Sequence, residues 1–292
     1  MDVARELVRR GRYRVSRIAT ALNVSRANLY ENPQPRPKRY RRRDDGEVRG
    51  EILNQLKARE TYGYKRTTGI INRERRKLGL KPYNKKRIYR VMDMNKLLVP
   101  KRRLKTERPH TGKVMTIMSN LRWCSDILQI NCWSGEKVFV AFSLDCHDRE
   151  SMANVAYARP LTHRDIIELI DRTMVSRFGE WADKLEVPVQ WLSDQGPQYI
   201  AYETKNYARQ WGLEPITTPS YSPESNGMAE AFVKTFKRDY VYVSDLWTAE
   251  SVLRQVPGWF ADYNENHPHS ALKFMSPLEY RKQALSSEKV YV

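Results

Sequence analysis

The sequence predicts an α/β protein: a mixed five-stranded sheet layered with helices, preceded by small all-α helix-turn-helix units. Three observations predict it. Near residue 120 the pattern switches from basic helical segments to alternating and continuous apolar runs. Beyond that point the elements read strand, strand, strand, helix, strand, helix, strand, helix, an order that starts antiparallel and continues parallel. Finally, 52 Lys and Arg stand against 34 Asp and Glu, a net charge of +18, and the surplus lies mostly ahead of residue 120.

The N-terminal elements come first. In VSRIATALNVSRANLY (15–30), Ile18, Ala19 and Leu22 share a helix face, Asn23 marks a turn, and Ser25 can cap a second helix carrying Leu29. The spacing suits a helix-turn-helix with Arg26 and Asn28 exposed on its second helix; a plain helical hairpin is the bland alternative. PRPKRYRRRDDGE (35–47) reads as a Pro-broken basic linker. TYGYKRTTGIINRERRKLGL (61–80) is helical after its Tyr-Gly-Tyr entry, with Ile70 and Ile71 inward. Asn84 caps a helix over 85–98, where Ile88, Val91, Met92 and Leu97 form an apolar stripe. Lys85, Lys86, Arg87 and Arg90 cluster at its start. A charge run is ordinarily a solvated face, but two basic helix-turn-helix units in a row favour contact with a DNA backbone. PKRRLKTERPHTGK (100–113) reads as a second linker.

In the second half, RWCSDILQINCW (122–133) and KVFVAFSLD (137–145) are strands joined at Ser134-Gly135, and ESMANVAYA (150–158) is a third. Thr162 opens a helix running to about Phe178. VPVQWLSD (187–194) is a continuously apolar strand, as expected when both faces are covered. A helix over 202–211, a strand near EPITT, and a helix capped by Ser222 with Pro223 at its first position complete the set. The expected division is 1–34, linker 35–47, helix-turn-helix 48–99, linker 100–119, α/β core with C-terminal helices 120–283, and tail 284–292.

Several classes are excluded. No apolar run approaches the roughly 20 residues that cross a bilayer, and MDVARELVRRGRYR lacks the apolar centre of a signal peptide. The expectation is a protein off the membrane, in the cytoplasm and associated with the nucleoid. Cys124, Cys132 and Cys146 form no C-x-x-C pair, so neither a disulfide framework nor a zinc ribbon follows, and Cys146-His147 alone is no metal site.

The carboxylates carry the chemistry. Asp126 lies mid-strand among apolar residues, where an Asp is costly unless paired or metal-bound. Asp194 sits at the tip of the fourth strand, and the two can meet if those strands are neighbours. At about 100° per residue, Ala229, Phe232, Val233, Phe236 and Tyr240 centre a buried helix face, and Glu230, Lys234 and Lys237 lie along its border. Glu224 points away and suits the helix N-terminus. Three oxygen ligands suit Mg²⁺ or Mn²⁺, and Lys234 and Lys237 are placed for a phosphate backbone, unless they only pair with Glu230 on a wet surface. Asp145, Asp148 and Glu150 are expected to be turn and salt-bridge residues, Trp247 and Trp259 core or interface, and His267 and His269 part of a packed tail.

RWCSDILQI, WLSDQGPQY and SPESNGMAEAFVKTFKRDY together resemble the three blocks of the D-D-E transposases of bacterial insertion sequences, within the retroviral integrase superfamily. TYGYKRTTGIINRE with NKKRIYRVM, and YNENHPHSALKFMSPLEY (263–280), extend the resemblance over nearly the whole chain, to the second-frame product of the two-frame elements. Between Asp194 and Glu230 lie 35 residues, the family's interval. The resemblance implies an RNase H-like core, the triad Asp126, Asp194 and Glu230 with Lys237 as basic helper, two divalent ions, 3′-end cleavage and strand transfer. It also implies double-stranded DNA partners (terminal inverted repeats and target), a homo-oligomer on DNA, and an upstream-frame product or its fusion. Gln195, Pro197 and Ala231 depart from the family's usual Asn, Ser and Arg. A non-catalytic helix-turn-helix regulator or domesticated remnant is the alternative. A nuclease acting on RNA hybrids would explain the core but not the flanking units.

Overall fold

The computed structural model describes residues 2–30, 45–100, 116–180, 183–218 and 226–288. Most of both expected linkers, the end of the tail, and Ser222, Pro223 and Glu224 lie outside those residues. The chain divides into two units, residues 1–45 and 46–292.

In the first unit, α1 (Asp2–Arg9) and α2 (Val15–Ala21) bury Ala4, Ile18 and Ala19 with Leu29. Asn23 makes the expected turn with φ 49°. The helix expected after Ser25 is instead one 3-10 turn, Arg26–Asn28, and Ser25 makes no side-chain cap. Leu29 is its only apolar anchor, and a single turn is enough to bury it.

The second unit begins with three helices, α3 (Gly46–Ala58), α4 (Tyr64–Lys77) and α5 (Lys85–Met94). Val48, Ile52, Ile71, Ile88, Val91 and Met92 form their shared core, so the sequence stripe points inward as expected. Asn84 caps α5 by accepting from the Lys86 N–H at 2.8 Å.

The sheet follows: β1 (Arg122–Asn131), β2 (Lys137–Asp145), β3 (Ser151–Tyr157), β4 (Val189–Ser193) and β5 (Leu213–Thr217), in the order β3-β2-β1-β4-β5. The β1–β2 and β2–β3 pairs are antiparallel; β1–β4 and β4–β5 are parallel, as the element order requires. Helices cover both faces. α6 (His163–Phe178), α7 (Pro197–Ile200) and α8 (Tyr202–Gln210) lie over Trp123, Val189 and Trp191. α9 (Gly227–Asp239) and α10 (Ala249–Asn266) lie over Cys124, Leu128, Val140 and Phe142. α11 (Pro277–Glu288) follows. β4 therefore buries Trp191 on one side and Leu192 on the other, which is why its sequence is continuously apolar. Trp259 joins the core, whereas Trp247 is exposed and packs edge-on against Trp133.

Candidate active site

Side chains alternate across a strand, so Asp126 shares the face of Cys124, Leu128 and Ile130, the face that α9 covers. β1 is the central strand and β4 its parallel neighbour, with Cys124 opposite Leu192. Continued two residues, that register sets Asp126 beside Asp194, which stands just past the end of β4. Strands this close lie about 4.8 Å apart. The Asp194 carboxylate turns the chain here: its Oδ1 accepts the Gly196 N–H at 3.0 Å, and Pro197 then opens α7. The Gln195 side-chain amide donates to the Thr218 carbonyl at 3.0 Å, tying this turn to the residue after β5. The departure at Gln195 thus has a structural role.

Glu230 comes from the first turn of α9, where an acidic side chain also suits the helix dipole. Asn226, at the N-cap position, is buried and donates its amide to the Ser125 carbonyl at 3.4 Å, fastening the start of α9 to the strand residue before Asp126. Phe232, Phe236 and Ala229 hold the helix to the sheet. Phe142, directly across the ladder from Asp126, packs on Phe232 with ring centroids 4.4 Å apart.

That apolar wall sets the electrostatics. Asp126 is pushed up to about 6, chiefly by burial; its own Ile127 N–H, donating at 2.7 Å, works the other way. The charges of Asp194 and Glu230 raise it further, and Lys237 lowers it. The triad expected from sequence, and the lysine two turns beyond Glu230, therefore act on one another in one place. Asp194, Glu230 and Lys234 are exposed. As the side chains stand, no three acidic, His or Cys groups among the described residues enclose a metal ion. The donor set nevertheless fits a hard divalent cation: carboxylate oxygens only, an excess of negative charge, and a half-buried member raised chiefly by burial and further by the other two charges.

The other expected residues divide. Lys85 and Lys86 are exposed at the start of α5, while Arg87 and Arg90 are half-buried, Arg87 lying over the Tyr83 ring at 5.3 Å. Arg73 and Arg75 of α4 are spent on carboxylates, Arg73 on Glu279 and Arg75 on Glu47 and Glu51. Arg26 and Asn28 belong to the other unit. Asp145, Asp148 and Glu150 converge on Arg177, which is the salt-bridge role expected of them, though deep in the fold rather than in a wet loop. His147 bonds through its two ring nitrogens to Thr116 and Tyr280. His267 and His269 are packed, not in the site. Sequence reasoning missed Asn226 and Tyr199, whose hydroxyl meets Ser125 at 2.7 Å. Both lie inside the quoted motifs, but their partners are distant in sequence.

Residues 118–223 match the model of an integrase core domain, and residues 211–277 match a second model of that description. With the sheet order and the converging carboxylates, these matches define an integrase-core enzyme of the polynucleotidyl-transferase class. Curated relatives include the transposase InsD for insertion element IS2A/D/F/H/I/K of Escherichia coli, 39% identical over 97% of this chain and 95% of that protein. Another is the transposase InsD for insertion element IS2-9 of Escherichia coli (strain K12), 38% identical over 97% of this chain and 94% of that protein. The chain belongs to this family of insertion-element transposases. Similar solved structures include the catalytic core of BIV integrase (18% identical, 58% of this chain, 99% of that one, TM-score 0.40). A chain of the simian T-cell lymphotropic virus intasome is another (14% identical, 79% of this chain, 73% of that one, TM-score 0.47).

Proposed function

We propose that Asp126, Asp194 and Glu230 are the catalytic carboxylates with which this transposase cuts and joins the ends of its element. The observation that carries the reading is the β1–β4 register, which sets the half-buried Asp126 beside Asp194, with Asp126 raised to about 6 chiefly by burial and further by the charges of Asp194 and Glu230. Carboxylates brought together from a strand, a strand end and a helix repel one another, and a cation between them would offset that repulsion. They would hold Mg²⁺ or Mn²⁺, two ions on this reading, which would supply an activated oxygen nucleophile and charge stabilisation for the leaving oxygen.

The chain's own residues do the rest. Asp126 gives up its proton above about pH 6 and could then serve as a ligand. Lys237 offsets part of the trio's charge and, with Lys234, faces the phosphate backbone. Water displaces a 3′ oxygen at the element's end and frees a 3′-hydroxyl. That hydroxyl then displaces a 3′ oxygen from a phosphate of the target strand. Lys85, Lys86, Arg87 and Arg90 of the 48–99 unit, and Arg26 and Asn28 of the 1–34 segment, hold the duplex while residues 120–283 do the chemistry. The partners are the terminal inverted repeats and target DNA, a second copy of the chain, and an upstream-frame product or its fusion, on the nucleoid. No helix among the described residues is long and apolar enough to cross a membrane. A silent DNA-binding regulator is not favoured, because it has no use for the trio.

The test is strand transfer. Purified protein is given a labelled duplex carrying the element's terminal repeat with Mg²⁺ or Mn²⁺, beside Glu230→Gln. Joined products that need metal and vanish in the variant are expected. Joining that survives Glu230→Gln would remove the glutamate from the mechanism.

A further inference from the structure

Two motifs of the sequence stand outside the catalytic trio: the Tyr-Gly-Tyr entry of α4, and the segment 263–280. The structure makes them partners. Tyr62 is buried with its hydroxyl 3.3 Å from His267 Nδ1 and its ring edge-on to that imidazole. Thr61 donates to Asp239 at 2.6 Å, and Arg66 pairs with the same carboxylate at 2.9 Å. Arg59 pairs with Asp262. Arg73 donates to the Phe274 carbonyl at 3.1 Å and to Glu279 at 2.5 Å.

The closest approach is at Gly69, in the middle of α4, where any Cβ would overlap the Phe274 ring. Phe274 and Lys273 both adopt left-handed backbone, φ 63° and 55°, a conformation that is strained in residues other than glycine. The tight turn is held by the Phe274 N–H on the His269 carbonyl at 2.8 Å and the His269 N–H on the Met275 carbonyl at 3.1 Å. A side chain has been driven into strained backbone to fill the hollow a glycine leaves.

What this latch grips matters. Asp239 is the last residue of α9, and Glu230 lies in its first turn. Nine residues at 1.5 Å each place them about 13 Å apart on one rigid rod. At the Glu230 end the polar tether is the long bond from Asn226 to Ser125, beside the apolar packing of Ala229 and Phe232 on the sheet. At the other end Asp239, nearly out of solvent, takes Thr61, Arg66 and its neighbour Arg238. Two of those three come from the helical unit, not from the sheet domain. The polar ties that bear on the axial setting of α9, and so on the height at which Glu230 meets Asp126, thus come largely from α4 and its entry.

Resting on the catalytic reading above, we propose that Gly69, Phe274 and Asp239 are positioning residues. Through them the basic helical unit sets helix α9, so that Glu230 closes the metal-binding trio only while that unit is docked. The unit that holds DNA and the helix that supplies the last carboxylate are thereby one mechanical body.

The test uses the full-length chain and Mn²⁺ alone as probe, with deuterium uptake followed at residues 227–232. Gly69→Ala should weaken Mn²⁺ binding at least fivefold and speed exchange in that turn, although alanine is the better helix former. Asp239→Asn should do the same. Gly69→Ala combined with Phe274→Gly, which clears the overlap and suits the left-handed backbone, should restore both readouts towards wild type. Exchange in β2 and β3 should not change. The proposal is overturned if Glu230→Gln abolishes Mn²⁺ binding while Gly69→Ala and Asp239→Asn leave it intact. It is also overturned if exchange rises evenly through the sheet, which marks a general loss of stability. If Glu230→Gln itself leaves Mn²⁺ binding unchanged, the catalytic reading has failed, and the positioning role falls with it.

Discussion

The Ser125 hydroxyl and the Tyr199 phenol lie 2.7 Å apart, both buried, on the sheet face opposite Asp126. Ser125 immediately precedes the first carboxylate of the trio, and Tyr199 belongs to the short helix that follows the second. The bond therefore ties the backbone that carries Asp126 to the turn that carries Asp194, from behind. Removing one hydroxyl leaves the other buried and unsatisfied, which costs about 1–3 kcal/mol. Tyr199→Phe and Ser125→Ala should each lower stability by that amount. The double variant should cost less than their sum, because no orphaned group remains. A four-member unfolding cycle in urea checks this, and additive losses would mean that the two hydroxyls do not depend on each other.

Arg177 supplies a second prediction. Its side chain is buried and meets Asp145 at 3.1 Å, Asp148 at 2.6 Å and also Glu150, while Arg281 of α11 adds a pair to Glu150 at 2.7 Å. Asp145 at the end of β2, with Asp148 and Glu150 in the turn after it, all meet this arginine from α6. Arg177→Met keeps the volume but strands the carboxylates, and taking one partner from a buried ion pair costs about 3–5 kcal/mol. The thermal midpoint should drop by several degrees. Asp148→Asn should be much milder, because Arg177 keeps two acids. Equal losses in the two variants would place the energy in hydrogen bonding rather than in charge.

These elements show what the sequence could and could not reveal. The five strands and most of the helices around them follow from local pattern, and β2 falls at 137–145, where the chain is expected to return after the Ser134-Gly135 turn. Asp126 stands out in the sequence because an acid in an apolar strand is anomalous, and helix geometry prefers Glu230 to Glu224, which lies outside the described residues. What pattern could not reveal is pairing across long separations. Arg66 and Arg73 belong to a basic helix-turn-helix unit expected to meet a DNA backbone, yet both are turned to carboxylates more than 170 positions away. Nothing local distinguishes an arginine that meets a phosphate from one that meets a buried aspartate. The helix expected after Ser25 failed for the opposite reason: capping chemistry was present, but one apolar anchor was too little to extend the turn.

The pH dependence of stability should show two opposed contributions. Asp126 is raised from 3.8 to about 6, with burial as the main cause. Folding favours its protonated form, so its contribution is complete below about pH 4 and is lost as pH rises through 6. Two units correspond to roughly 3 kcal/mol. His269 moves the other way: burial, with Arg149 and Arg66 nearby, lowers it from 6.5 to about 3, and His267 is lowered too. Folding favours the neutral imidazole, so this stability is present above about pH 6.5 and is lost as pH falls towards 3. Substitutions separate the two. The stability of Asp126→Asn relative to wild type should grow as pH rises from 4 to 7. That of His269→Gln relative to wild type should grow as pH falls from 6.5 towards 3. Metal adds a third observable, since a cation can hold Asp126 only after its proton leaves. Below about pH 6, Mn²⁺ affinity should fall by up to tenfold per unit of pH in the wild type, with Asp126→Asn lacking that break. An affinity flat between pH 5 and 7 would mean that Asp126 is already ionised there, and that its burial does not reach its carboxylate.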